Sequence, residues 1–134
     1  MIAPVLALVL WSLFVWVWMY ATRIPAMRKA GIAPQEGAMA GAVNARMPDS
    51  VRQVADNYNH LMEQPTIFYA TALAAQLAGA ADPVNIGFAW AYVALRIVHS
   101  LVQATANVVM VRFSVFVLST LALAALAIRT VLAL

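Results

Sequence analysis

The chain contains no cysteine. Disulfides are excluded, as is any side-chain thiol acting as nucleophile or soft metal ligand, so thiol chemistry reaches this protein only with a ligand. Charge is scarce too: 10% of the 134 residues are Asp, Glu, Lys or Arg, where a soluble domain carries about 25%. The net charge of +3 comes without any basic cluster interleaved with aromatics, so nucleic acid is not an expected partner. Only two histidines are present, His60 and His99, on different predicted helices with just Asp56 and Glu63 near them. That set is too sparse for a metal centre, and none is expected. The GxGxxG, Walker, HExxH and GxSxG patterns are missing, which removes the common soluble enzyme classes. Internal repeats and low-complexity segments are absent as well.

What remains is apolar. Hydrophobic residues make up 65% of the chain, with a mean hydropathy of +0.86, against about 45–50% in soluble domains. The chain is therefore expected to be an integral membrane protein, one domain over residues 1–134. Four spans emerge, at about residues 2–22, 57–80, 84–108 and 112–134, each long enough to cross at about 1.5 Å per residue. The first has no basic segment ahead of it and reads as a retained helix rather than a cleaved signal. Trp11, Trp16, Trp18 and Tyr20 gather toward its end, as in an interfacial aromatic belt. Short connections make neighbours antiparallel, predicting an all-α, up-down-up-down four-helix bundle. The one long loop holds Arg23, Arg28, Lys29, Arg46 and Arg52, with Arg112 at the same end. Positive residues stay inside, so the loop is expected to be cytoplasmic and both termini on the far side.

The helix expected from Pro48 onward begins in water and runs straight into the second span. Positions three and four apart share a helical face. Arg96, His99, Gln103 and Asn107 form such a stripe on the third span, and Arg52, Asp56, Asn59 and Glu63 form one on the second. Antiparallel counting puts Glu63 level with His99 to Gln103, and Asn59 level with Asn107. Pro65 breaks the helix beside this cluster, freeing the Leu61 carbonyl. A charge at the bilayer centre costs about 3 kcal/mol or more, so ionisable residues there are functional by default. The alternative is interhelical hydrogen bonding at about 0.6 kcal/mol per group, which suits Gln103 and Asn107 equally well. His60 falls off the stripe, and Gly79, Gly87 and the many alanines read as small-residue helix packing.

NYNHLMEQPTIFYA resembles the Asn, Glu, Pro and Phe signature at the cytoplasmic start of helix two in the MAPEG family (membrane-associated proteins in eicosanoid and glutathione metabolism), and LRIVHSLVQATANVVMVRF resembles that family's helix-three segment. The resemblance covers essentially the whole chain and is nearest to the family's compact bacterial branch. It implies a homotrimer, here in a bacterial inner membrane. Glutathione would lie between subunits in the cytoplasmic half as cosubstrate, with a lipophilic small molecule as its partner in the bilayer. On this resemblance Arg52, Asn59, Glu63 and Arg96 match ligand-binding positions, with His99, Gln103 and Asn107 beside them. Glu63 would take the ammonium and the arginines the carboxylates of glutathione, and Arg112 is the candidate for stabilising the thiolate, the reactive form of the thiol. The pattern departs in three places. Glu63 and Pro65 stand one residue closer, Ile97 and Leu101 replace the helix-three tyrosines, and Arg112 is displaced. The implied function is a glutathione-dependent transferase or peroxidase acting on lipophilic electrophiles. A non-catalytic ligand- or lipid-binding scaffold is the alternative, and a small multidrug transporter a third.

Overall fold

A long apolar run makes the first element, and its interior proline, Pro25, comes only in the polar C-terminal part. In the computed structural model, which describes residues 1–39 and 41–134, helix α1 spans Ile2–Lys29. Pro4 sits in its first turn, where a missing N–H costs nothing, and Arg28 and Lys29 close its C-terminal end, where cations suit the helix dipole. The long loop contains a 3₁₀ turn at Pro34–Ala38 and a short helix, α2 (Ala40–Ala45). Ile32, Val43 and Met47 bury themselves with Val51 beneath it. Helices α3 (Asp49–Leu61), α4 (Gln64–Leu77), α5 (Pro83–Ala104) and α6 (Val109–Leu132) follow. Among the described residues there is no strand.

Three helices, α1, α5 and α6, are long and apolar enough to cross a membrane. The second expected span is not one continuous helix. It is divided at Met62 and Glu63 into polar, amphipathic α3 and apolar α4 of 14 residues. At about 1.5 Å per residue α4 covers roughly 21 Å, short of the roughly 30 Å hydrocarbon core. Pro65 is the physical reason: it is at home in the first turn of a helix and cannot continue the one before it.

The turns between the long helices are built from residues suited to left-handed backbone. Gly79 has φ of 73° just past the end of α4, and the Ala80 N–H returns to the Ala75 carbonyl at 2.9 Å, a glycine-terminated helix end. Asp82 then caps α5 by accepting from the N–H groups of Val84 and Asn85. At the other end of α5, Asn107 takes φ of 48° and its N–H bonds the Val102 carbonyl at 2.7 Å. Asparagine tolerates that region better than other side chains. Asn107 is thus a turn residue and not the last member of a helical stripe, as its spacing had indicated.

The core joins α1, α3, α4, α5 and α6 through Leu8, Val15, Leu61, Phe68, Tyr92, Leu123 and Leu126. Phe68 and Tyr92 stack with ring centroids 4.5 Å apart. Buried Ala72, Ala75, Ala89 and Ala122 let the helices approach closely. Gly79 and Gly87 do not serve that role, since both face outward with nothing near a would-be side chain. At the end away from the long loop, Arg129 on α6 donates to Asn85 at 2.7 Å and reaches Asp82 at 3.3 Å. Asn85 in turn donates to the Ala80 carbonyl at 2.7 Å, so one polar network ties the α4–α5 turn to α6.

Candidate functional site

Contacts between α3–α4 and α5 set the depth of every polar group. Asn57 donates to Ser100 at 2.7 Å, and Trp11 on α1 donates to the same hydroxyl at 3.0 Å. One turn on, Arg96 Nη2 donates to the His60 carbonyl at 3.1 Å. Beyond the break, Gln64 donates to Thr120 at 2.9 Å and its carbonyl accepts from Tyr92 at 3.4 Å. The two helices are therefore offset by about two turns from the alignment counted along the sequence. Asn59 is not level with Asn107; Arg52 and Asp56 are the residues that share a cavity with it. The reason lies in the ends: counting assumed helix as far as Asn107, whereas α5 stops at Ala104.

The third-span stripe faces inward where it is helical. Arg96 is fully buried, and His99 and Gln103 are buried as well. The second-span stripe faces outward. Asp56, Asn59 and Glu63 are exposed, and the inward polar residue of α3 is Asn57, 1% exposed. Glu63 does not pair with Arg96. It turns to its own neighbour, accepting from His60 Nδ1 at 2.8 Å, three residues apart on one face. Arg52 pairs with Asp49 on the first turn of α3. Arg96 has its guanidinium carbon 5.6 Å from the centre of the Phe116 ring. Its Nε and Nη1 have no hydrogen-bond partner, and neither do Asn57 Oδ1 and Gln103 Oε1.

His60 lies off the outward stripe, as its spacing indicates, and turns its ring toward α5 and α6. Its ring stacks on Phe116 at 5.6 Å and lies 5.0 Å from the His99 ring. Both histidines, with Val109, Arg112, Phe113 and Phe116, line a cavity of about 240 Å³. Arg112 is held in place by donating to Asn107 Oδ1 at 2.7 Å. Asn107 also lines a second, polar cavity of about 420 Å³, with Asn44, Asp49, Arg52, Gln53 and Asp56. The Arg112–Asn107 bond thus links a polar cavity carrying both charge signs to a smaller one with basic groups against aromatic walls. Among the described residues, no three His, Asp or Glu side chains gather as a metal site would require.

The sequence pattern set His60 aside as off the stripe and did not mark Asn57, Ser100 or Phe116. The signal for His60 was there in its three-residue spacing from Glu63. Phe116 is one apolar residue among many on α6, and no pattern marks it. Trp11 turns toward α5, donating to Ser100 at 3.0 Å, while Trp16 and Tyr20 face outward, 5.1 Å apart edge to face.

Comparison with curated proteins and with solved structures finds no match in either. The family model described as the MAPEG family matches residues 1–132 of 134, nearly the whole chain, and the three crossing-length helices agree with it. The chain is a membrane protein belonging to the MAPEG family.

Proposed function

We propose that this protein is a glutathione-dependent transferase or peroxidase for lipophilic electrophiles. The observation that carries the reading is the hydrogen bond from Arg112 to Asn107 between the linings of two cavities: a polar one with both charge signs, and one where Arg112, His60 and His99 face Phe113 and Phe116. Glutathione has two carboxylates, one ammonium and a thiol. Its polar ends suit Arg52 and Asp56 through charge-assisted hydrogen bonds. Its thiol then points past Asn107 to Arg112, whose guanidinium favours the thiolate. The aromatic walls receive the lipophilic partner. Arg96, His99 and Gln103 form the buried polar backing of this site.

The functional unit in this reading is a homotrimer of four-helix subunits, with α3 and α4 together acting as the second helix and the long loop on the cytoplasmic side. The outward face of α3 supports it. Asn59 and Glu63 are exposed at the level of Arg96, eight residues or about 12 Å inside the end of α5. Polar groups at that depth need cover from protein, and a neighbouring subunit supplies it. A lipid-binding scaffold is the second reading, favoured by an apolar groove of about 580 Å³ between Trp11, Phe14, Val17, Trp18 and Leu101.

Thermal unfolding in detergent with millimolar glutathione tests the proposal. At a hundredfold excess over Kd, binding stabilises by about 2.7 kcal/mol. Arg112→Ala should lower conjugation of a lipophilic electrophile while leaving that stabilisation in place. No shift with glutathione in the parent protein would leave the scaffold reading standing.

A further inference from the structure

A thiol near Arg112 still needs somewhere to send its proton. We propose that His60 is the general base that takes it, with Glu63 as the residue that positions the His60 ring for the task. This rests on the glutathione reading above and deepens it.

Three observations place the pair. Glu63 accepts from His60 Nδ1 at 2.8 Å, which fixes the ring and leaves Nε2 as the nitrogen with a free lone pair. Among the described residues no hydrogen bond is made by Nε2. The ring is clamped face to face on Phe116, with an interplanar angle of 19°, so it cannot swing away from the cavity it lines. Arg112 lines the same cavity and is anchored on Asn107. A base oriented by a carboxylate, with a cation waiting for the anion produced, is the arrangement that activates nucleophiles generally.

Local structure explains why the pair forms. Pro65 ends α3 early, and Glu63 falls in the break with non-helical backbone (φ −90°, ψ −100°). Its side chain folds back on His60, three residues before. The His60 carbonyl meanwhile accepts from Arg96, so the residue is held at backbone and ring together.

The step balances without a further oxidant or reductant. The S–H bond of glutathione breaks and its proton joins His60 Nε2, giving an imidazolium held by the Glu63 carboxylate and a thiolate beside Arg112. The sulfur lone pair then forms a bond to the electrophilic carbon of an electron-poor alkene. The displaced π pair moves to the neighbouring carbon, which takes the proton back from Nε2. The groups facing His60 from the packed elements are His99 and Arg96 on α5, Arg112 on α6 and Glu63 itself. Only His60 carries the carboxylate bond.

The test is thiolate formation by bound glutathione, read as ultraviolet difference absorbance across pH, together with conjugation rate and glutathione-dependent thermal shift. His60→Gln should bind glutathione within about twofold of the parent, yet lose conjugation at neutral pH by about a hundredfold, the lower range for general base catalysis. Raising the pH should restore the rate, because solvent then supplies the thiolate. Glu63→Gln lies on an exposed side chain and is expected to fold even if His60→Gln does not. It should shift the pH profile of thiolate formation and lower the neutral-pH rate by about tenfold. Parent-like thiolate formation in either folded variant overturns the assignment while leaving the glutathione reading intact. Failure of the parent protein to bind glutathione overturns both.

Discussion

Arg96→Met separates a functional guanidinium from a structural one. Methionine keeps a long, flexible apolar stem and removes the charged head. Two interactions are lost: the hydrogen bond to the His60 carbonyl, about 1.5–3 kcal/mol for a charged donor, and the contact over Phe116, about 0.5–2 kcal/mol. The His60 carbonyl is not orphaned, since the Glu63 N–H approaches it at 3.4 Å. Two burdens are relieved, because buried Nε and Nη1 lack partners and each such donor costs about 1–3 kcal/mol. The two sides nearly cancel, so the variant without ligand is expected within about 1 kcal/mol of the parent. Breaking a satisfied buried ion pair would instead cost about 3–5 kcal/mol. The assay is reversible unfolding in mixed micelles, with and without glutathione. With glutathione present the variant should lose about 1.4 kcal/mol or more of the ligand stabilisation, a tenfold weaker Kd. A loss above about 3 kcal/mol in the unliganded protein would refute the reasoning and make Arg96 a strut.

Other outcomes follow from the same geometry. Phe68→Ala, at a fully buried position stacked on Tyr92, should cost about 3–5 kcal/mol in the same unfolding assay; a loss below about 1 kcal/mol would mean the α4–α5 contact is not core. Asp82, in the turn before α5, has its carboxyl held below the usual range, first by the Asn85 N–H and then by Val84 and Arg129. A depressed folded-state pKa means its stabilising contribution is present above the unfolded carboxylate range and fades as pH falls through the lowered value. Acid unfolding curves should show that loss, and Asp82→Asn should flatten it; an unchanged acid limb would reject the network. The chain has no native cysteine, so single cysteines at Met39 and Leu134 report topology cleanly. A membrane-impermeant maleimide should reach only one of them from each side, and labelling of both from one side would reverse the proposed orientation.

Membrane character, three of the crossing helices and the family were legible in the residues alone. Long runs of Leu, Val and Ala can only be helices in lipid, where every backbone group must bond within its own segment, and the signature around Asn59, Glu63 and Arg96 carried the family. The inward stripe of Arg96, His99 and Gln103 was legible for the same reason, since helical periodicity holds wherever the helix is intact. What periodicity cannot reveal is where a helix stops. Asn107 left the stripe by adopting a left-handed turn, and the second span split at Glu63, so depths counted through those points slipped by about two turns. Which face of α3 turns inward depended on what waited there: Ser100 offered Asn57 a partner, while Asn59 and Glu63 stayed exposed. Only tertiary packing, by stacking His60 on Phe116 of a distant helix, made that histidine part of the site.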